Sequence, residues 1–327
     1  MTPKIFIGPM SKNTVDSIIE FSNDNNVQMG VIPSRRQIDF NTGYVNNWTT
    51  RTFSEYIRSR SSNILMVRDH GGPNQGDNVD DGCDSFCFDA KHFDVIHVDV
   101  WKFYQNIDDG IRKTIEYINF CYNINPNVEF EISTEQSIRN FSPYDLEYML
   151  VKIKNELKEN TYKQIKYLVI QCGTSLIGCN NNGVFDEMKL QEMIRVCKKY
   201  NMISKEHNGD YQSIQLIKKK FNLGLNAINI APEFGKLETE IILKLTNDDK
   251  KFHEFFFNLC LNSGRWKKWV PENFEPYKNK TEIILISGHY VFSSQHFQDR
   301  IKDVVGINDF IKQTIKNKLK ELTSIKN

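Results

Sequence analysis

The run Ile64-Leu65-Met66-Val67-Arg68-Asp69-His70-Gly71-Gly72-Pro73 sets a carboxylate beside an imidazole where an apolar stretch ends. Such a pair can move a proton and bind a cation, with Asp69 as the acid/base group and His70 as the metal ligand. The four apolar residues before Arg68 read as a strand buried on both faces, and Gly71-Gly72-Pro73 forces a turn. In a parallel α/β protein the carboxyl end of a strand opens onto the active-site face. Taken alone, Asp69 could equally cap a helix and His70 pack in a loop, so the other strand ends matter.

Those ends carry more titratable groups. Asp94 to Trp101 reads as a strand with His97 and Asp99 on one side, because side chains alternate. Val128 to Thr134 carries Glu129 and Glu131 on one face and stops before Glu135. Carboxylates inside a strand are costly unless solvated, paired or bound to a cation; the alternative is an edge strand with a wet face. Met202 to His207 is a weaker strand, followed by Asn208-Gly209-Asp210, and Leu225 to Ala231 carries Asn229. If these ends share one mouth, His70, His97, Glu131, Glu135 and His207 meet there. Two or three histidines with a carboxylate make a divalent-metal site of the zinc kind, open to substrate oxygens. Such an ion polarises a carbonyl and stabilises an enediolate. The expected ligands are His70, Glu131 and His207, with Asp69 and Glu135 moving the proton. Arg36, Gln37, His97, Lys205, Asp210 and Asn229 are the candidate substrate contacts.

The elements that must position these groups follow from periodicity. Eight strand signals, each followed by a helix or a helix-length segment, predict a (β/α)8 TIM barrel over residues 1–250. An open doubly wound sheet is disfavoured, since no glycine-rich phosphate fingerprint follows the first strand. Residues 251–327 are predicted to be a C-terminal helical extension packed on the barrel or in a subunit contact. The acidic stretch Gly76 to Gly82 reads as a mobile loop over the mouth.

Composition narrows the setting. Lys+Arg 42 against Asp+Glu 41 leaves a net charge of +1, which is no electrostatic footprint for nucleic acid. The seven cysteines are odd in number and scattered, as reduced core thiols are. No signal-peptide h-region or membrane-length apolar run stands out, so a cytoplasmic protein is expected.

Asp69-His70-Gly71-Gly72-Pro73-Asn74, Ile96-His97-Val98-Asp99, Ser133-Thr134-Glu135, Leu168-Val169-Ile170-Gln171-Cys172-Gly173 and His207-Asn208-Gly209-Asp210-Tyr211-Gln212 follow one another in this order. The order and spacing resemble the D-tagatose-1,6-bisphosphate aldolase accessory-subunit family, which is similar to the class II, metal-dependent aldolases. Gln37 through Tyr44, Trp266 and Gly288-His289-Tyr290 look similar as well. The resemblance implies a (β/α)8 barrel and a divalent metal, zinc first. It also implies Asp69 as acid/base, His70 and His207 as ligands, and Glu131 or Glu135 as the metal-linked glutamate. The implied activity is a sugar or sugar-phosphate aldolase or epimerase, as a homo-oligomer or with an aldolase subunit. The alternative is a non-catalytic subunit that stabilises a partner aldolase. One departure is informative: the catalytic aldolases carry glycine-rich phosphate cradles near the last strands, whereas only Gly209 stands here, beside Asp210 and Glu233. A substrate with fewer phosphates than a bisphosphate is expected.

Overall fold

Short apolar strands of this kind are stable only when neighbours pair with them and helices cover them. A computed structural model describes residues 2–325, and in it eight such strands close into a parallel barrel. They are β1 (Ile5–Ile7), β2 (Met29–Val31), β3 (Ile64–Gly71), β4 (Val95–Val98), β5 (Glu129–Ile132), β6 (Ile165–Val169), β7 (Ile203–Glu206) and β8 (Ala227–Ile230). The ring follows chain order, and β8 returns to β1 with Asn229 opposite Phe6. The expected (β/α)8 barrel with C-terminal helices is therefore the observed architecture. Strand ends are shorter than the apolar runs suggest. In β4 the Asp99 carboxylate accepts from the Trp101 amide at 3.1 Å, a local turn that ends the ladder before Trp101.

Inward side chains alternate with outward ones and fill the barrel in layers. Phe6, Val67, Val95, Tyr167 and Ala227 form an apolar plug, in which the Phe6 and Tyr167 rings meet edge to face at 5.9 Å. Gly30 makes room for it, since a Cβ there would lie 2.0 Å from the Phe6 ring. Toward the carboxyl ends of the strands the interior turns polar, with Lys205, Glu131, His97, His207 and Asn229 all buried.

Outside run α1 (Lys12–Asn25), α2 (Thr50–Arg58), α3 (Cys83–His92), α4 (Ile107–Ile124), α5 (Pro143–Glu156), α6 (Glu187–Lys199), α7 (Ile214–Asn222) and α8 (Pro232–Leu245). Their starts follow capping chemistry. Ser142 and Asp145 form a capping box with Pro143 in the first turn, and the Asp186 side chain accepts from the Lys189 amide.

After the barrel come α9 (Lys250–Ser263), α10 (Lys280–Ser287), α11 (Gln295–Ile301) and α12 (Ile307–Thr323). Helix α12 lies along α1, where Lys312 and Lys316 both reach Glu20 at 2.9 Å. Two short turns, Arg265–Trp269 and Gly288–Tyr290, bring this C-terminal segment to the barrel mouth. The acidic loop expected to be mobile is instead tied down. Arg35 donates to Asp80 at 2.8 Å and to the Gly72 carbonyl at 2.7 Å, and Arg265 donates to Asp77 at 3.0 Å. Among the described residues, no helix is long and apolar enough to cross a membrane.

One buried carboxyl ties the barrel to its first helix. Glu238 on α8 is 3% exposed and accepts from the Ser11 hydroxyl and from Asn13 Nδ2 at 2.9 Å. Burial lifts its pKa to about 7 against the pull of those two donors. An unfolded glutamate titrates near 4.5, so the contribution of Glu238 is complete below that value and is lost as pH rises through about 7. Wild type should therefore lose on the order of 3 kcal/mol relative to Glu238→Gln between about pH 5 and pH 8. Urea unfolding of both proteins across that range tests this; parallel curves would refute it.

Candidate active site

Strict alternation along β3 would send Val67 and Asp69 inward and Arg68 and His70 outward. Arg68 obeys it. Its guanidinium is buried among the helices, bonded to both Asp89 oxygens at 2.8 and 2.7 Å and to the Pro33 and Ile38 carbonyls at 2.9 and 2.8 Å. His70 does not obey it. The β3–β4 register shifts between Arg68 and Gly71, and His70 takes a φ of 45°, in the left-handed region. This bulge turns two consecutive side chains, Asp69 and His70, into the same mouth.

The two outer imidazoles are built alike. His70 Nδ1 lies 2.6 Å from Asp99 Oδ2, and Thr134 donates to the same oxygen at 3.0 Å. His207, just past β7, bonds through Nε2 to Glu131, whose other oxygen accepts from Lys205 at 2.6 Å. Burial opposes ionisation of Glu131, but Lys205 and His207 hold it well below the usual carboxylate range. An ionised carboxylate only accepts, so Nε2 of His207 carries the proton. Each ring then has one nitrogen committed to a carboxylate behind it. The other faces the pocket: His70 Nε2 is 3.9 Å and His207 Nδ1 is 3.6 Å from Asp69 Oδ1. His207 Nδ1 is buried and has no hydrogen-bond partner among the described residues.

His97 completes a cluster of three histidines whose ring nitrogens lie within 4.8 Å of one another. Its bonding is different. Nδ1 accepts from the His70 amide at 3.2 Å, and Nε2 donates to the Ser133 carbonyl at 2.9 Å. Both nitrogens are used, and burial lowers its pKa to about 4, so His97 is a neutral prop for the bulge. His70 is the reverse case. Burial works against its charge, but Asp69 and Asp99 raise its pKa to about 10.

The pocket above these groups has a volume of about 270 Å³. Of the residues singled out from the sequence, Asp69, His70, His207, Glu135, Gln37, Asp210 and Asn229 line it. Asn229 Nδ2 donates to Asp69 at 3.4 Å and its Oδ1 has no partner among the described residues. Glu135 accepts from Ser137 at 2.6 Å. Asp210 accepts from the Ala231 and Glu233 amides, and burial beside Glu233 raises its pKa. Three expected contacts, Arg36, His97 and Lys205, and one expected ligand, Glu131, lie outside the pocket. Arg36 faces Asp77 at 3.7 Å, outside the pocket. Lys205 sits beneath Glu131 with its ammonium 4.0 Å from the Phe6 ring centroid, so neither it nor Glu131 reaches the cavity. Tyr44, Lys268, Trp269, His289 and Tyr290 also form the wall, and none was singled out as a contact from residue chemistry. Their one sequence signal is the similarity at Tyr44 and Gly288-His289-Tyr290.

No protein-family model matches the sequence, and no curated protein matches it. Solved structures do. One described as a probable tagatose 6 phosphate kinase from Sinorhizobium meliloti 1021 has a TM-score of 0.77 at 12% identity, covering 99% of this chain and 100% of that one. The YdjI aldolase from Escherichia coli K12 follows at 0.60 and 12%, covering 98% and 92%. A fructose-bisphosphate aldolase from Campylobacter jejuni reaches 0.54 at 11%, covering 94% and 91%. The fold is that of aldolase-like barrels. At these identities the likeness concerns architecture, and chemistry must be argued from the residues.

The Arg68–Asp89 fork anchors β3 one residue before the bulge, with both side chains fully buried. Arg68→Met leaves Asp89 without a counter-charge and should cost roughly 3–5 kcal/mol. Arg68→Met with Asp89→Leu should recover most of it. Denaturation midpoints for the two variants decide the point, and a single-variant loss under about 1 kcal/mol would contradict the anchoring role.

Proposed function

We propose that this chain is a divalent-metal-dependent aldolase-type lyase or epimerase acting on a sugar or sugar phosphate through an enediolate. The observation that carries the reading is the pair of pocket-facing imidazole nitrogens, His70 Nε2 and His207 Nδ1, each backed by a buried carboxylate. A carboxylate behind a ligating histidine fixes the tautomer and raises its basicity, which is the usual outer shell of a zinc-type site. The unpartnered His207 Nδ1 and the Asp69 oxygen between the two rings fit a cation, zinc first.

When bound, a divalent cation supplies Lewis-acid polarisation of a substrate carbonyl. The chain's own groups do the rest. Asp69 Oδ1 is held by Asn229, which leaves Oδ2 to take a proton from the carbon or hydroxyl next to the carbonyl. Glu135 lines the same pocket and is the second carboxylate able to return a proton. Asn229 Oδ1 and Gln37 can orient hydroxyls. Glu131 and Asp99 act through the histidines they hold, and His97 props the backbone that carries His70. Lys205 neutralises Glu131 from below, which argues against a Schiff-base role for that amine.

Metal analysis of the purified chain should find about one divalent ion, absent from the His70→Ala/His207→Ala variant together with turnover in a metal-supplemented screen of sugars and sugar phosphates. Asp99→Asn, which leaves the Lys205–Glu131 pair intact, should weaken metal binding roughly 10- to 100-fold. A metal-free, inactive chain that co-purifies with an aldolase would instead support the role of a stabilising subunit.

A further inference from the structure

The C-terminal wall of the pocket has an unusual composition. Lys268 is the one ammonium or guanidinium among the described lining residues, which otherwise include Asp69, Glu135 and Asp210. Its Nζ makes no ion pair or hydrogen bond among the described residues; it rests 4.4 Å from the Trp269 ring centroid and 5.9 Å from that of Tyr290. The other cation nearby, Arg265, is committed to Asp77.

Beside Lys268 stands a buried imidazole that nothing uses. His289 is 2% exposed, its ring lies 4.0 Å from that of Tyr290, and neither ring nitrogen makes a hydrogen bond among the described residues. The Nδ1 edge packs on Gly235, where a Cβ would lie 2.9 Å away. Nε2 is thus the nitrogen left for the pocket. Burial, with Lys268 and Arg265 nearby, lowers the His289 pKa to about 3, so the ring is a neutral donor.

We propose that Lys268 and His289 form the subsite for the far end of the substrate, and that this end is a single phosphomonoester. Lys268 Nζ supplies the counter-charge, His289 Nε2 donates to a phosphate oxygen, and Trp269 and Tyr290 give the apolar wall. A second phosphate would face Asp69 or Glu135, with no further ammonium or guanidinium among the described lining residues to meet it. The inference deepens the sugar-phosphate reading above, yet it concerns binding and is testable without turnover.

The test titrates the full chain, by calorimetry and tryptophan fluorescence, with fructose, fructose 6-phosphate and fructose 1,6-bisphosphate as probes. The monophosphate should bind at least about tenfold more tightly than the neutral sugar and more tightly than the bisphosphate, with an affinity that falls as salt rises. Lys268→Met should remove that advantage while leaving fructose binding unchanged, and Trp269→Phe should abolish most of the fluorescence change. His289→Asn should weaken the monophosphate several-fold at an unchanged melting temperature. The same advantage should persist in His70→Ala/His207→Ala, so a failed metal site and a failed phosphate subsite give different results. A monophosphate preference that survives Lys268→Met, tighter binding of the bisphosphate, or equal binding of a sugar acid such as glucuronate would overturn the proposal.

Discussion

Inside the barrel the Glu131 carboxylate is shut away from water and held by two partners, the Lys205 ammonium at 2.6 Å and the His207 imidazole. An ionised carboxylate in such a place costs several kcal/mol in lost hydration, and only close, well-oriented partners offset it. Lys205 brings a full charge, and its own lost hydration is partly replaced by the faces of Phe6 and Tyr167, at 4.0 and 5.4 Å. His207 brings an N–H and is locked in one orientation as a result. The register makes this stack possible: His97 lies directly opposite Glu131 across β4 and β5, and Lys205 precedes His207 by two residues, on one face of its strand. The orientation of His207 toward the cavity follows from a charge pair that lies beneath it.

The same logic recurs at His70 with different parts. Asp99 is buried, and His70 holds it ionised against that burial. The result is two imidazoles with carboxylates behind and free nitrogens in front. His97 marks the contrast, because backbone groups satisfy both its nitrogens. Three histidines meet at one point, and hydrogen-bond accounting separates two with a spare nitrogen from one with none. Proximity by itself would not make that distinction.

Much of the barrel was legible because its cause is local. Apolar runs bounded by turn residues, with helical spacing between them, are properties of short segments, and all eight strands appear where those runs lie. Placing the titratable groups at strand ends brought His70, His97 and His207 to one mouth, where their ring nitrogens lie within 4.8 Å of one another. What alternation could not reveal is the β3 bulge; period-two reasoning sends His70 away from Asp69, and only the Gly71-Gly72 pair hints at irregular backbone. Glu131 read as a ligand for a similar reason. Its face was legible, but its depth relative to Glu135, and the Lys205 ammonium already waiting there, depend on the stagger of neighbouring strands. The acidic loop looked mobile because its partners, Arg35 and Arg265, are remote in sequence. Lys268 and His289 were hidden the same way, since short turns after the barrel reach the mouth only through the packing of α8, α9 and α10.

The pocket's charge is more favourable to an anion than its residue types suggest. Asp210 counts as an acid in the sequence, but burial beside Glu233 raises its pKa, and its Oδ1 serves as an acceptor for two amides at the start of α8. Asp69 and Glu135 face the His70 ring and Lys268 across the same cavity. Asp69 and Asp99 favour positive charge on the His70 ring against the cost of its burial. A divalent ion held by His70 and His207 would supply the positive charge that, in the proposed reaction, meets the negative charge developing on the substrate oxygens. The acids around His70 thus favour a positive charge beside them, which is the condition a cation site needs.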